Sequence, residues 1–160
     1  MLGLGLPALR KSGRHAMTTE DRAEGGPMQI TTDMVLWLAE TWDHWRWHAL
    51  PAPYTGRILL PGNVLVSGVL ADPRYWRRAY EIEDARYVEE IYTHPQIPRY
   101  NVDWAALWHI LNQACPWSVA RTDSDTYTAI LHRAGRTATA RGTNECTAVA
   151  LAAWQWGHTP

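Results

Sequence analysis

The stretch that decides the fold is WSVARTDSDTYTAILHRAGRTATARGTNECTAVALAAWQW, residues 117–156. Trp117 to Arg121 alternates in side-chain character, and so does Tyr127 to Arg133, the period-2 signature of strands. Asp123-Ser124-Asp125 reads as the turn between them, because Asp and Ser side chains bond nearby backbone in turns. Ala134-Gly135 signals a second turn, followed by a short strand from Thr137 to Ala140. Strands joined by such short turns run antiparallel. Gly142-Thr143 then opens an Ala-rich helix that closes near Trp156-Gly157.

Upstream, Asn101 is the expected N-cap of a second helix, with Asp103 in its first turn where the helix dipole favours an acid. Trp104, Leu107, Trp108 and Leu111 repeat at i, i+3, i+4 and i+7 and predict its buried face. Cys115-Pro116 ends it. An earlier helix is predicted from about Thr32 to Trp45, with Met34, Val35, Leu38 and Trp42 at helical spacing and Thr31, Thr32 and Asp33 as cap and first turn. Residues 51–62 hold too many Pro and Gly for a helix, and Arg57 to Gly62 reads as a short extended piece closing in a turn. Val64 to Leu70 reads as a strand or buried loop. Glu81 to Tyr92 reads as an amphipathic helix with Ala85, Val88 and Ile91 inward, and His94 to Arg99 breaks regular structure. The expected fold is therefore α+β, an antiparallel sheet packed with helices in an αβα-sandwich-like arrangement. It forms a single ligand-binding domain over residues 31–160, behind a leader, residues 1–30, read as disordered from its unpatterned Gly, Pro, Thr and charges.

Composition narrows the function. With 46% apolar and 19% charged residues the chain is a folded globular protein. A net charge of −1 excludes a general nucleic-acid coat, which needs a basic excess to neutralise phosphates. Only Cys115 and Cys146 are present, with no C-x-x-C spacing, so there is no zinc framework and a reducing cytoplasm is expected. No apolar run reaches the ~20 residues of a membrane-spanning helix. The chain has ten Trp, seven Tyr and no Phe, and Lys11 is its one lysine. A GC-rich coding genome accounts for that bias most simply. Arginine also grips phosphate and carboxylate bidentately, and the aromatic excess suggests a homo-oligomer.

Catalytic motifs are missing. There is no G-x-S-x-G, P-loop, G-x-G-x-x-G or paired H-x-[ST], and the expectation is a protein that is not an enzyme and needs no cofactor. His44 and His48 lie four apart, the spacing that places two imidazoles on one helix face for zinc. No third ligand follows by spacing, and no metal is expected. Asp123 and Asp125 flank a hairpin tip, which is wet and unsuited to separating two carboxyl pKa values. Cys146 falls in the first turn of the last helix, where the dipole lowers a thiol pKa, although a small buried residue is the commoner reading.

What remains is a binding constellation. Arg121, Arg133, Arg136 and Arg141 cluster around the hairpin and the last helix, and their convergence near Gly142-Thr143 would make an anion site at a helix N-terminus. Trp117, Tyr127, and Tyr100 beside Asn101 offer rings for stacking on a base. With Arg57, Arg99 and Thr143 these residues form the candidate ligand-binding set. The alternative is a group of solvated strand-end arginines and core aromatics.

Ile97-Pro98-Arg99-Tyr100-Asn101-Val102-Asp103 opens a helix, Trp117 starts the strand after it, and residues 138–154 read ATARGTNECTAVALAAW. In these features, over residues 32–156, the chain resembles the phage ABA-sandwich domain family, with its P-x-Y-[ST]-x-D pattern and Ala-rich end behind a Thr. Asn101 stands where that pattern has a hydroxyl. The chain is also similar in size and layout to the Thoeris anti-defence proteins of the first type. That resemblance implies an oligomeric sponge in the host cytoplasm, holding a cyclic ADP-ribose or cyclic oligonucleotide signal without cleaving it. A protein-binding accessory or inhibitor module that uses exposed Trp and Tyr is the alternative.

Overall fold

A computed structural model describes residues 28–79 and 90–159. Three antiparallel strands are its backbone: β5 (Trp117–Asp123), β6 (Thr126–Arg133) and β7 (Arg136–Gly142), ordered β5-β6-β7. Ala134 and Gly135 both have positive φ, 52° and 74°, the backbone of a tight hairpin whose twist matches that of its strands. Ala129 and Leu131 of β6 and Ala138 and Ala140 of β7 are buried. All four lie on one face, as the period of two requires.

Helix α4 (Glu145–His158) covers that face. Its residues Cys146 to Ala153 are all buried, so this helix is enclosed on every side. Helices α1 (Thr32–Thr41) and α3 (Trp104–Gln113) pack against α4. They supply Met34, Leu38, Leu107, Ile110 and Leu111 to a common core with Trp42 and Tyr100. Alanine is the commonest side chain along α4 because helix and sheet approach closely. At Gly142 an added Cβ would lie 2.5 Å from the Ala148 backbone nitrogen.

A second sheet lies on the other side of α1. Its order is β1-β2-β4-β3, with β1 (Arg46–Ala49), β2 (Arg57–Leu60), β3 (Arg77–Arg78) and β4 (Ile91–Thr93). β2 and β4 are parallel and the other pairs antiparallel. β2 alternates its sides: Leu59 joins Leu36, Ala39 and Trp45 toward α1. Ile58 and Leu60 join Leu50 and Val69 toward the short helix α2 (Val66–Ala71).

The α+β class, the hairpin strands and the closing helix are as expected, and several details differ. α1 ends at Thr41 instead of Trp45, and the chain turns so that Trp42 enters the core with α4 while Trp45 enters the other. Val66–Ala71 is helical, not extended, with only Val69 buried and Leu65 before it 77% exposed. A short apolar run does not distinguish strand from helix. Ile91 and Tyr92 belong to β4 and not to a helix; Ala85 and Val88 lie outside the described residues, as does most of the leader. Asp103, not Asn101, caps α3, its carboxylate accepting from Ala105 N at 2.9 Å. The buried stripe is Leu107, Ile110, Leu111 and Ala114, and Trp108 is 50% exposed. No helix among the described residues is long and apolar enough to cross a membrane.

Candidate functional site

The arginines of the hairpin separate to opposite ends of α4. Arg136 donates from Nη2 to the carbonyls of Trp156 and Thr159, the former at 2.7 Å. Arg133 lies against two indoles that meet edge to face, 4.4 Å from the Trp42 ring centre and 4.9 Å from that of Trp156. Trp156 Nε1 returns a hydrogen bond to the Arg133 carbonyl at 3.0 Å. Both cations therefore sit at the helix C-terminus, where the dipole is negative and carbonyls lack helical partners. They clamp the fold and do not face a phosphate.

At the other end, the register pairs Tyr127 with Gly142 and Thr128 with Arg141, next to Thr143. Asn101 is brought in through its carbonyl, which accepts from Thr147 Oγ1 at 3.4 Å. Arg121 is spent on the hairpin, donating to the Asp123 carbonyl at 3.1 Å. Backbone and Thr126 hydrogen bonds, with Arg141 adding its charge, hold the Asp123 carboxyl below its ordinary range. The α4 N-terminus is already filled: Asn144 Oδ1 accepts from Thr147 N at 2.8 Å, and Glu145 follows in the first turn. An anion there would meet a satisfied donor and a like charge. Burial, and then Glu145 and Asp103, push the Cys146 thiol up rather than down.

Of the remaining candidates, Arg57 stacks 4.2 Å over Trp47, Trp117 lies at the exposed start of β5, and Arg99 is exposed. Tyr100 is fully buried and offers no face for stacking. His44 has φ 60° beyond the end of α1 and His48 sits in β1, so the two share no helix face.

Tyr100 leads instead to a site the motif search passes over. Its hydroxyl donates to Asp43 Oδ2. The Asp43 side chain is only 8% exposed, and its Oδ1, fully buried, has no hydrogen-bond partner among the described residues. His109 Nδ1 stands 3.3 Å from that oxygen on a side chain 75% exposed, near enough to attract but without hydrogen-bond alignment. Asp43 borders a cleft of about 480 Å³, lined also by Trp45, Asn63, Gln96, Pro98 and His109. The end of α1, the turn after β2, the 94–98 loop and α3 meet here, so the cleft lies where the two sheets' halves join. Gln113 braces the junction, its Nε2 donating to the carbonyls of Trp42 at 2.9 Å and His109 at 2.8 Å. The sequence signal was weak: an acid between two tryptophans in Trp42-Asp43-His44-Trp45, both of which the structure buries.

Burial raises the Asp43 pKa, with Tyr100, His109 and His44 acting the other way. A raised native pKa means the folded state binds this proton more tightly than the unfolded chain. Its stabilising share is present below the unfolded value, about 3.9, and is lost as pH rises through the native value. Asp43→Asn, which removes the buried charge, is expected to stabilise the protein at pH 7 by about 1 kcal/mol. The gain should shrink toward pH 4. Urea unfolding at both pH values measures it, and a pH-independent difference would contradict the assignment.

No family model, curated protein or solved structure matches this chain.

Proposed function

We propose that this protein binds a small nucleotide-type signal in the Asp43 cleft and sequesters it without cleaving it, as a phage anti-defence sponge does. The observation that carries the binding reading is a buried carboxylate with an unused acceptor at the wall of a roomy cleft. Such a concave site with a few placed polar groups is the usual form of a small-molecule site, and an orphan buried acceptor is costly unless a ligand satisfies it. Among the described residues the cleft lining contains no serine, threonine, cysteine or lysine, and its Asp43 and His109 are read as binding groups. The resemblance to phage sponge proteins supplies the nucleotide class, the host-cytoplasmic setting and the oligomer.

Thermal-shift binding to cyclic ADP-ribose isomers and cyclic di- and trinucleotides, with the bound molecule released by heat and identified by mass, tests this. The expected result is intact ligand and ~2.7 kcal/mol of stabilisation at a hundredfold excess over Kd. A cleaved product would make the protein an enzyme. No shift with any of them would favour the second reading, a protein-binding module. That reading draws on Trp108 and Val102, large apolar side chains left exposed on and just before α3.

A further inference from the structure

Within the sequestration reading, on which this step rests, we infer that the Asp43 cleft recognises the uncharged heterocycle of its ligand through an N–H donor and leaves any phosphate outside.

An ionised carboxylate only accepts. One Asp43 oxygen already accepts from Tyr100 and the other is unpartnered, so the unmet demand in this wall is for a donor. The lining contains no arginine or lysine to offset a second negative charge. A phosphate placed beside Asp43 would be repelled in a setting that screens charge far less than water does. A ring N–H or exocyclic amino group fits that demand. Asn63 and Gln96 each offer both a donor and an acceptor to the rest of a heterocycle's edge, and Trp45 and Pro98 add apolar wall.

The path to Oδ1 is set by His109. Its imidazole covers the oxygen at 3.3 Å but is largely exposed and makes no aligned bond to it. Exposed side chains change rotamer in picoseconds to nanoseconds, so the ring can swing outward and a ligand N–H take its place. His109 is then a cover over the acceptor and not the group that binds.

Calorimetric titration of the full chain with guanosine, guanosine 5′-monophosphate and purine riboside, at low and high salt, tests the inference. Purine riboside lacks both the amino group and the ring N–H. Guanosine is expected to bind at least as tightly as its monophosphate, with little dependence on salt, and purine riboside at least tenfold more weakly. Asp43→Asn, expected to fold at least as well as the parent, should weaken guanosine tenfold or more, the factor a lost charged hydrogen bond gives. His109→Ala should keep or tighten guanosine binding. If the phosphate tightens binding and high salt weakens it, or if Asp43→Asn binds as the parent does, this inference fails while sequestration stands. If neither these probes nor the cyclic nucleotides bind, both fail.

Discussion

Gly142→Ala is expected to destabilise the fold by about 3 kcal/mol, enough to threaten a domain whose whole stability is of order 5–15 kcal/mol. The new Cβ would lie 2.5 Å from the Ala148 nitrogen, 2.9 Å from its Cα and 2.9 Å from the Thr147 carbonyl carbon. All three are backbone atoms of α4, so no side chain can rotate away. Relief requires α4 to lift from β7, and α4 is also the surface on which α1 and α3 rest. Gly62→Ala is the control, because nothing lies within 4 Å of its added Cβ. Chemical denaturation should place the two variants far apart, and near-equal midpoints would show that the sheet–helix contact is looser than described.

Arg133→Ala is expected to cost about 2–3 kcal/mol. The guanidinium lies over both the Trp42 and the Trp156 ring, partly out of water where cation–π attraction is strongest. Its removal also leaves Trp42, fully buried, with an open flank. Arg133→Lys retains the charge but loses the planar group that stacks, and should recover less than half of the loss. The readout is the urea midpoint, followed by tryptophan fluorescence, to which Trp42 and Trp156 contribute among ten tryptophans. A ligand-binding role for Arg133 would instead predict unchanged stability and weakened affinity, so the same pair of variants separates a clamp from a contact residue.

That distinction was partly legible in the sequence. The hairpin could be read because alternation, an Asp-Ser-Asp turn and Ala134-Gly135 all agree. The convergence of Arg136 and Arg141 fails on the same rules. Five residues apart on one strand, they project from opposite faces and lie roughly 16 Å apart along it. Arg133, across the turn from Arg136 in register, goes with Arg136 and away from Arg141. The α3 stripe was ambiguous in the sequence, because Trp104, Leu107, Trp108 and Leu111 and the observed Leu107, Ile110, Leu111 and Ala114 are overlapping faces of one helix, and the packing chose the second. α2 was hard to read because its six residues are too few for the stripe of Val66, Val69 and Leu70 to be told from a short strand or buried loop. The Asp43 cleft draws residues from the segment after α1, the turn after β2, the 94–98 loop and α3, far apart in sequence, and only an acid set between two tryptophans hinted at it.

The enclosure of α4 has a consequence for how the protein breathes. Amide protons exchange with solvent when a segment opens, and the free energy of opening differs between segments. Residues 146–153 touch the hairpin sheet on one side and α1 and α3 on others, so no partial opening wets them without releasing several elements together. Their exchange should be the slowest in the chain and should report the global unfolding equilibrium. α2, with only Val69 buried, should exchange orders of magnitude sooner. The slow and fast sets of protons would then mark where this molecule is a single cooperative unit and where it is merely attached to one.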